Sequence, residues 1–292
     1  MSAEQPGLPP VVAPSGRFIA QLFLVPGLIV AAAVVVLLAF SWLAGGRRSP
    51  EAFLRDLDST NPDIRWRTAS DLAQVLRRDP ELASNADFGL ELTKKLQRSL
   101  EEMARFEASQ AAATPDDETA RRERREALAR RADIQYLSAS VGNLLTPVGA
   151  PVLADLARKS PSRDPKTDAL LRRQAIWALA SLGDNLAKFD SLSDERQRSA
   201  MDQLRSAAAG GGPSAKWARQ ALAYFDRSGP LGVIDALVAC SRDDDPFIRK
   251  ETALALAFWF GTAEENQRAE AALLSLAQDD GRGTPISIQE GD

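Results

Sequence analysis

The hydrophobic pattern of this chain changes character once. Between residues 22 and 43 it is continuous. The stretch LFLVPGLIVAAAVVVLLAFSWL holds fourteen Leu, Ile, Val or Phe residues, and Ser41 is its only polar side chain. At 1.5 Å per residue, a helix of this length extends about 33 Å, enough for the hydrocarbon layer of a bilayer. The large apolar residues together favour insertion by about 4–8 kcal/mol, before the backbone and Pro26 are counted. Pro26 lies near the N-terminal end, where a lost hydrogen bond costs least. Trp42 stands at the far edge, the place of an interfacial anchor. A core helix is rarely this long and uncharged. A cleaved signal peptide has a shorter apolar stretch and a small-x-small site, which Trp42-Leu43-Ala44 does not provide. The expectation is an uncleaved transmembrane helix within 18–44, in contact with lipid through 22–43. It follows a Pro-rich, disordered tail at 1–17.

Beyond residue 47 the apolar positions become periodic. Asn61-Pro62-Asp63-Ile64-Arg65-Trp66-Arg67-Thr68-Ala69, followed by Leu72-Ala73, matches Asp245-Pro246-Phe247-Ile248-Arg249-Lys250-Glu251-Thr252-Ala253, followed by Leu256-Ala257. Leu171-Arg172, Ala175-Ile176 and Leu179-Ala180 form a weaker copy. The stretch from Trp217 to Phe225 keeps only the Ala-Leu core and a large apolar end. Asn or Asp caps a helix N-terminus and proline follows at the first helical position, where its missing N–H is harmless. Ile, Ala and Leu then fall on one helical face. The arginine, one turn in, is placed to reach carbonyls or acids of an adjacent hairpin. Ile64, Leu171, Trp217 and Ile248 lie 107, 46 and 31 residues apart. The two shorter intervals bracket a helical-hairpin repeat of about 40 residues. The long interval holds two extended amphipathic stretches, 88–113 and 118–145, joined at Thr114-Pro115-Asp116-Asp117. They read as a long antiparallel hairpin, about 87–145, inserted between repeats. Thr114 or Asp116 is placed to cap its second helix. Gly210-Gly211-Gly212-Pro213 reads as a loop between later helices.

These residues resemble HEAT repeats, of the short bacterial kind related to bilin-lyase repeats. The resemblance is good over 232–260 and 50–76, and looser over 151–182. It implies hairpins stacked into a curved α-solenoid over 47–280, with a concave face that binds an unidentified protein partner; the end, 281–292, reads as a flexible tail. The expected fold class is therefore all-α, a single transmembrane helix followed by a HEAT-like solenoid.

Composition agrees. Ala, Leu, Arg and Glu lose little on entering a helix, and aromatic residues make up 6% of the chain. The net charge is −4, so no basic field recruits nucleic acid, and none is expected as a partner. There is no histidine, which removes Ser-His-Asp and Cys-His relays and imidazole metal sites. The one cysteine, Cys240, sits in an apolar helical stretch and reads as a core residue. Asp243-Asp244-Asp245 lacks the ligand spacing of a calcium loop and reads as an acidic, capping turn. Glu101-Glu102 and Glu264-Glu265 are helix neighbours that do not face each other. No catalytic, cofactor-binding or metal-ligating residue is expected, and no cofactor. The Arg121–Arg131 stretch, with six arginines and two glutamates, reads as a solvated face paired at i, i+3 and i+4, against contact with anionic headgroups or an acidic partner. Trp66, Trp177 and Trp217 are expected in the core.

The functional expectation is a membrane-anchored scaffold that docks another protein without catalysis. The alternatives are an enzyme of the lyase or glycosylase type found among HEAT-like relatives, and a self-associating structural membrane protein. Arg47, Arg48 and Arg55 outnumber Arg17 across the apolar span, which orients the large domain to the cytoplasm, with a bacterial inner membrane as the setting.

Overall fold

The computed structural model describes residues 24, 26–37, 49–110, 117–259 and 261–278. Two compact units divide at residue 49. In the first, residues 26–37 form a helix, α1, with Leu28, Ile29 and Val35 among its exposed side chains. Among the described residues no helix is long and apolar enough to cross a membrane. The expected span 22–43 falls only partly on them: 22, 23, 25 and 38–43 lie outside the described residues. So do the expected tails at 1–17 and 281–292 and the proposed caps at Thr114 and Asp116.

Among its described residues the second unit forms helices joined by turns and short loops, with no strand. Its helices are α2 (Pro50–Leu57), α3 (Pro62–Arg78), α4 (Pro80–Ser84), α5 (Ala86–Gln110), α6 (Asp117–Gly142), α7 (Ala150–Arg158) and α8 (Pro165–Leu186). They continue as α9 (Asp194–Ala209), α10 (Gly212–Phe225), α11 (Val233–Cys240), α12 (Pro246–Leu256) and α13 (Ala263–Ala277).

Capping starts these helices where the sequence signals it. Asn61 accepts from the Asp63 N–H at 2.9 Å, and Asp245 from the Phe247 N–H at 2.8 Å. Asp164 does the same for α8, accepting from the Thr167 N–H and hydroxyl at 3.0 and 2.7 Å. Those two bonds hold its carboxyl below the usual carboxylate range. Asn61 and Asp245 stand one turn before Ile64 and Ile248, whereas Asp164 stands two turns before Leu171. The additional turn in α8 is why its sequence copy looks weak.

The helices pair into two layers. Helices α3, α6, α8 and α12 lie side by side in that order, and α2, α5, α7 and α11 back them. Side chains that donate across to a neighbouring helix's backbone fix a parallel register in the first layer. Ser140 Oγ donates to the Ala69 carbonyl at 3.0 Å, Asn143 Nδ2 to Ala73 at 3.1 Å, and Asn185 Nδ2 to Gly142 at 3.1 Å. Trp259 Nε1, just beyond α12, donates to Leu179 at 2.9 Å. Leu72, Ile134, Val141 and Leu179 of this layer meet Phe53, Leu92, Leu96 and Leu156 of the other, all buried.

This order corrects two readings. The α5–α6 pair runs antiparallel, with Gly89 against Leu144 and Glu102 against Arg130. It is not an insert, because α6 lies between α3 and α8. Helix α6 carries its own copy of the repeat, Ile134, Ser138-Ala139 and Gly142, disguised by Gly142 where the other copies have Leu72, Leu179 and Leu256. The stretch Trp217–Phe225 is not a step in the row. Helices α9 and α10 pack instead on α4, α5 and the turn Pro147–Gly149. Gln203 of α9 accepts from the Ala86 N–H at 2.7 Å and so caps α5.

The arginine of the α3, α8 and α12 copies has a repeated task. Arg65 donates to the carbonyls of Ser59 and Thr60 at 3.0 and 3.4 Å, Arg172 to Ala157 at 2.9 Å, and Arg249 to Asp243 and Asp244 at 2.9 and 3.1 Å. Each ties a helix of the first layer to the end of its partner or the turn after it. Two also reach the next hairpin: Arg65 meets Asp133 at 3.0 Å, and Arg172 meets Asp243. Burial works against the Arg172 charge, and the hydrogen bond and charge of Asp243 outweigh it, so its pKa stands above the ordinary arginine value. Lysine at position 172 keeps a charge but not the fork that serves both partners. Arg172→Lys is therefore expected to cost about 1–2 kcal/mol in urea unfolding. An unchanged midpoint would show that the contact between these hairpins does not depend on that geometry.

Candidate functional site

Two surface features stand out among the described residues. The first is the outward side of the α3–α6–α8–α12 layer. Trp66 of α3 stacks on Tyr136 of α6 with ring centroids 6.0 Å apart. The Arg173 guanidinium of α8 lies 5.0 Å from the centre of the Phe247 ring of α12 and 3.7 Å from Glu251. Trp177, one turn beyond Arg173, is 49% exposed. Phe247 and Leu254 are exposed at 55% and 48%. The register described above places these groups on adjacent helices. The expectation that all three tryptophans serve the core is met by Trp217, which is buried, and not by Trp177. Helical periodicity marks α8 as amphipathic but does not show that its Trp lies on the uncovered side.

The second feature is a cleft of about 670 Å³ between the α2–α3 turn, α5 and α6. It exists because α6 begins at Asp117, sixteen residues before Asp133, where Arg65 meets it, whereas the parallel α3 begins only at Pro62. Several charges in the cleft are committed: Lys95 to Asp58, Arg65 to Asp133, and Arg130 to Glu126 and Glu102 at 2.7 and 3.5 Å. Burial pushes the Asp133 carboxyl above its ordinary range, although Arg65 pulls it down. Arg98, Arg122 and Arg125 line the same cleft, and no ion pair engages them among the described residues. The reading of Arg121–Arg131 as a self-paired face thus holds only for Arg130 with Glu126. Arg122 and Arg125 face the cleft, whereas Arg121 and Arg124 do not line it.

The other candidates serve structure. The Asp243 carboxylate takes Arg172 and the Asp245 N–H, and Asp245 caps α12. Glu265 closes a capping box with Thr262. The Cys240 thiol is buried, donates to the Ala157 carbonyl at 3.3 Å, and is pushed up in pKa by that burial. Among the described residues no group of Cys, Asp or Glu side chains is arranged to hold a metal ion.

The fold defines an all-α protein with an uncovered helix layer. No protein-family model matches the chain, and no curated protein matches it. The crystal structure of an engineered protein aligns with 79% of this chain and 90% of its own at 17% identity, with a TM-score of 0.25. A likeness at that score supports no conclusion about fold or function.

Proposed function

We propose that this chain is a membrane-anchored scaffold of HEAT-like hairpins that docks another protein, without catalysis, on the outward side of its α3–α6–α8–α12 layer. The observation that carries the docking reading is the placement of Trp66, Tyr136, Trp177, Phe247 and Leu254 on adjacent helices of that layer. Aromatic groups with an arginine beside them are the composition of interface anchors. The solenoid reading draws support from the repeated arginine tie and from four first-layer helices in parallel register. Such stacks offer long contact surfaces and little enclosed chemistry. The anchor reading draws support from the apolar run 22–43 and the exposed apolar side chains of α1. Arginine bias orients the layer to the cytoplasm of a bacterial cell.

Trp177→Ser with Leu254→Ser removes two half-exposed apolar groups that lie outside the buried core. Loss of a pair of anchors is worth about 2 kcal/mol or more at a docked interface. The expected result is at least a tenfold loss of the co-purifying partner from the tagged full-length protein, with a melting temperature unchanged within about 2 °C. Retention of the partner by the double variant would exclude this side as the docking surface.

A further inference from the structure

We infer that the cleft between the α2–α3 turn and the α5–α6 pair is a binding site for a phosphate group. The inference is independent of the protein-docking reading, because the two surfaces share no residue. It starts from charge. The whole chain carries −4, yet this cleft is positive. Its acids already have partners in Lys95, Arg65 and Arg130. What remains is Arg98 on α5 with Arg122 and Arg125 on α6, all three lining the cavity. Arg122 and Arg125 are three residues apart on one helix, so both project from the same side.

Three cations that line one cavity repel one another, and among the described residues none of the three is in an ion pair. A dianion between them converts that repulsion into attraction. Guanidinium forks match the tetrahedral oxygens of a phosphate, each donating two parallel N–H bonds. The Ser59 and Ser99 hydroxyls line the same space and add neutral donors. The volume, about 670 Å³, admits a phosphorylated small molecule or the headgroup of a phospholipid. The shared chemistry is a phosphate dianion, free or at a lipid surface.

The test is calorimetric titration of the full-length chain in non-ionic detergent with inorganic pyrophosphate. Saturable binding at one site is expected. It should weaken at least tenfold in Arg98→Gln/Arg122→Gln/Arg125→Gln and fall as salt rises from about 50 to 200 mM. Arg121→Gln/Arg124→Gln removes charge from the same helix outside the cleft and should change affinity less than twofold. All five arginines lie on exposed helix surface, so both variants should keep the parent melting curve, checked by circular dichroism. Micelles doped with phosphatidic acid then separate the sources. If they displace pyrophosphate, the natural occupant is a headgroup; if they do not, it is a soluble phosphate. Either outcome supports the site. Absence of saturable binding to both probes overturns it, as does equal loss in the two variants, which would mark diffuse attraction to a basic helix.

Discussion

Replacing Gly142 by leucine should be among the most damaging single changes in this protein, although leucine is what the other copies of the repeat carry there. Leu72, Leu179 and Leu256 occupy the matching position and are buried. A consensus substitution of this kind ordinarily stabilises. At Gly142 a Cβ would stand 2.8 Å from the Ala178 carbonyl oxygen, 2.9 Å from its Cα and 3.0 Å from its Cβ. These are mostly backbone atoms in the middle of α8, so no side-chain rotation relieves the clash. Helix α6 would have to leave α8 and break the Asn185 bond to the Gly142 carbonyl. Alanine alone should cost about 1–3 kcal/mol by overpacking. Leucine should cost more than about 4 kcal/mol, within reach of the whole stability of a domain. Urea unfolding monitored by circular dichroism reads both. If Gly142→Leu melts like the parent, the close crossing of α6 on α8 is wrong.

Trp259→Ala is the second large effect. Trp259 is 3% exposed, its indole packs edge-on to Tyr224 at 6.1 Å, and its N–H donates to Leu179 of α8. It fastens the end of α12 to α8, where Gly183 gives the room: a Cβ there would meet the Phe258 carbonyl at 2.8 Å. Truncation removes a buried aromatic group and leaves a cavity, at about 3–5 kcal/mol. Trp259→Phe keeps most of the packing and loses the hydrogen bond, at about 1 kcal/mol for that bond. The pair of variants separates packing from hydrogen bonding, and equal losses in both would contradict the assignment.

Capping and the Ile-Arg-x-x-Thr-Ala signature made α3 and α12 readable, because Asn61-Pro62 and Asp245-Pro246 act locally. The Arg172 tie was readable for the same reason. Helix α6 was not, since Gly142 replaces the diagnostic leucine and Gln135 the arginine; what selects glycine is the approach of α8, a contact with no local signal. The Ala-Leu face of α10 announces burial without naming the surface that buries it, so the sequence alone does not separate α10 from the row. The cleft was hidden for a related reason. Arg122 has Glu118 and Glu126 at i−4 and i+4, which suggests pairing. Where Arg122 and Arg125 point depends on where the parallel α3 begins beside α6, and that is a property of the assembled layers.

The most direct measurement of the docking claim is photo-crosslinking in intact cells. A benzophenone amino acid is placed at position 177, at position 254, and at Arg198 on α9, an exposed site away from the layer. The scaffold account predicts one recurrent crosslinked protein from 177 and 254, absent from 198 and lost on saturation with untagged full-length chain. Crosslinks only to further copies of this chain, or the same products from all three positions, would contradict it.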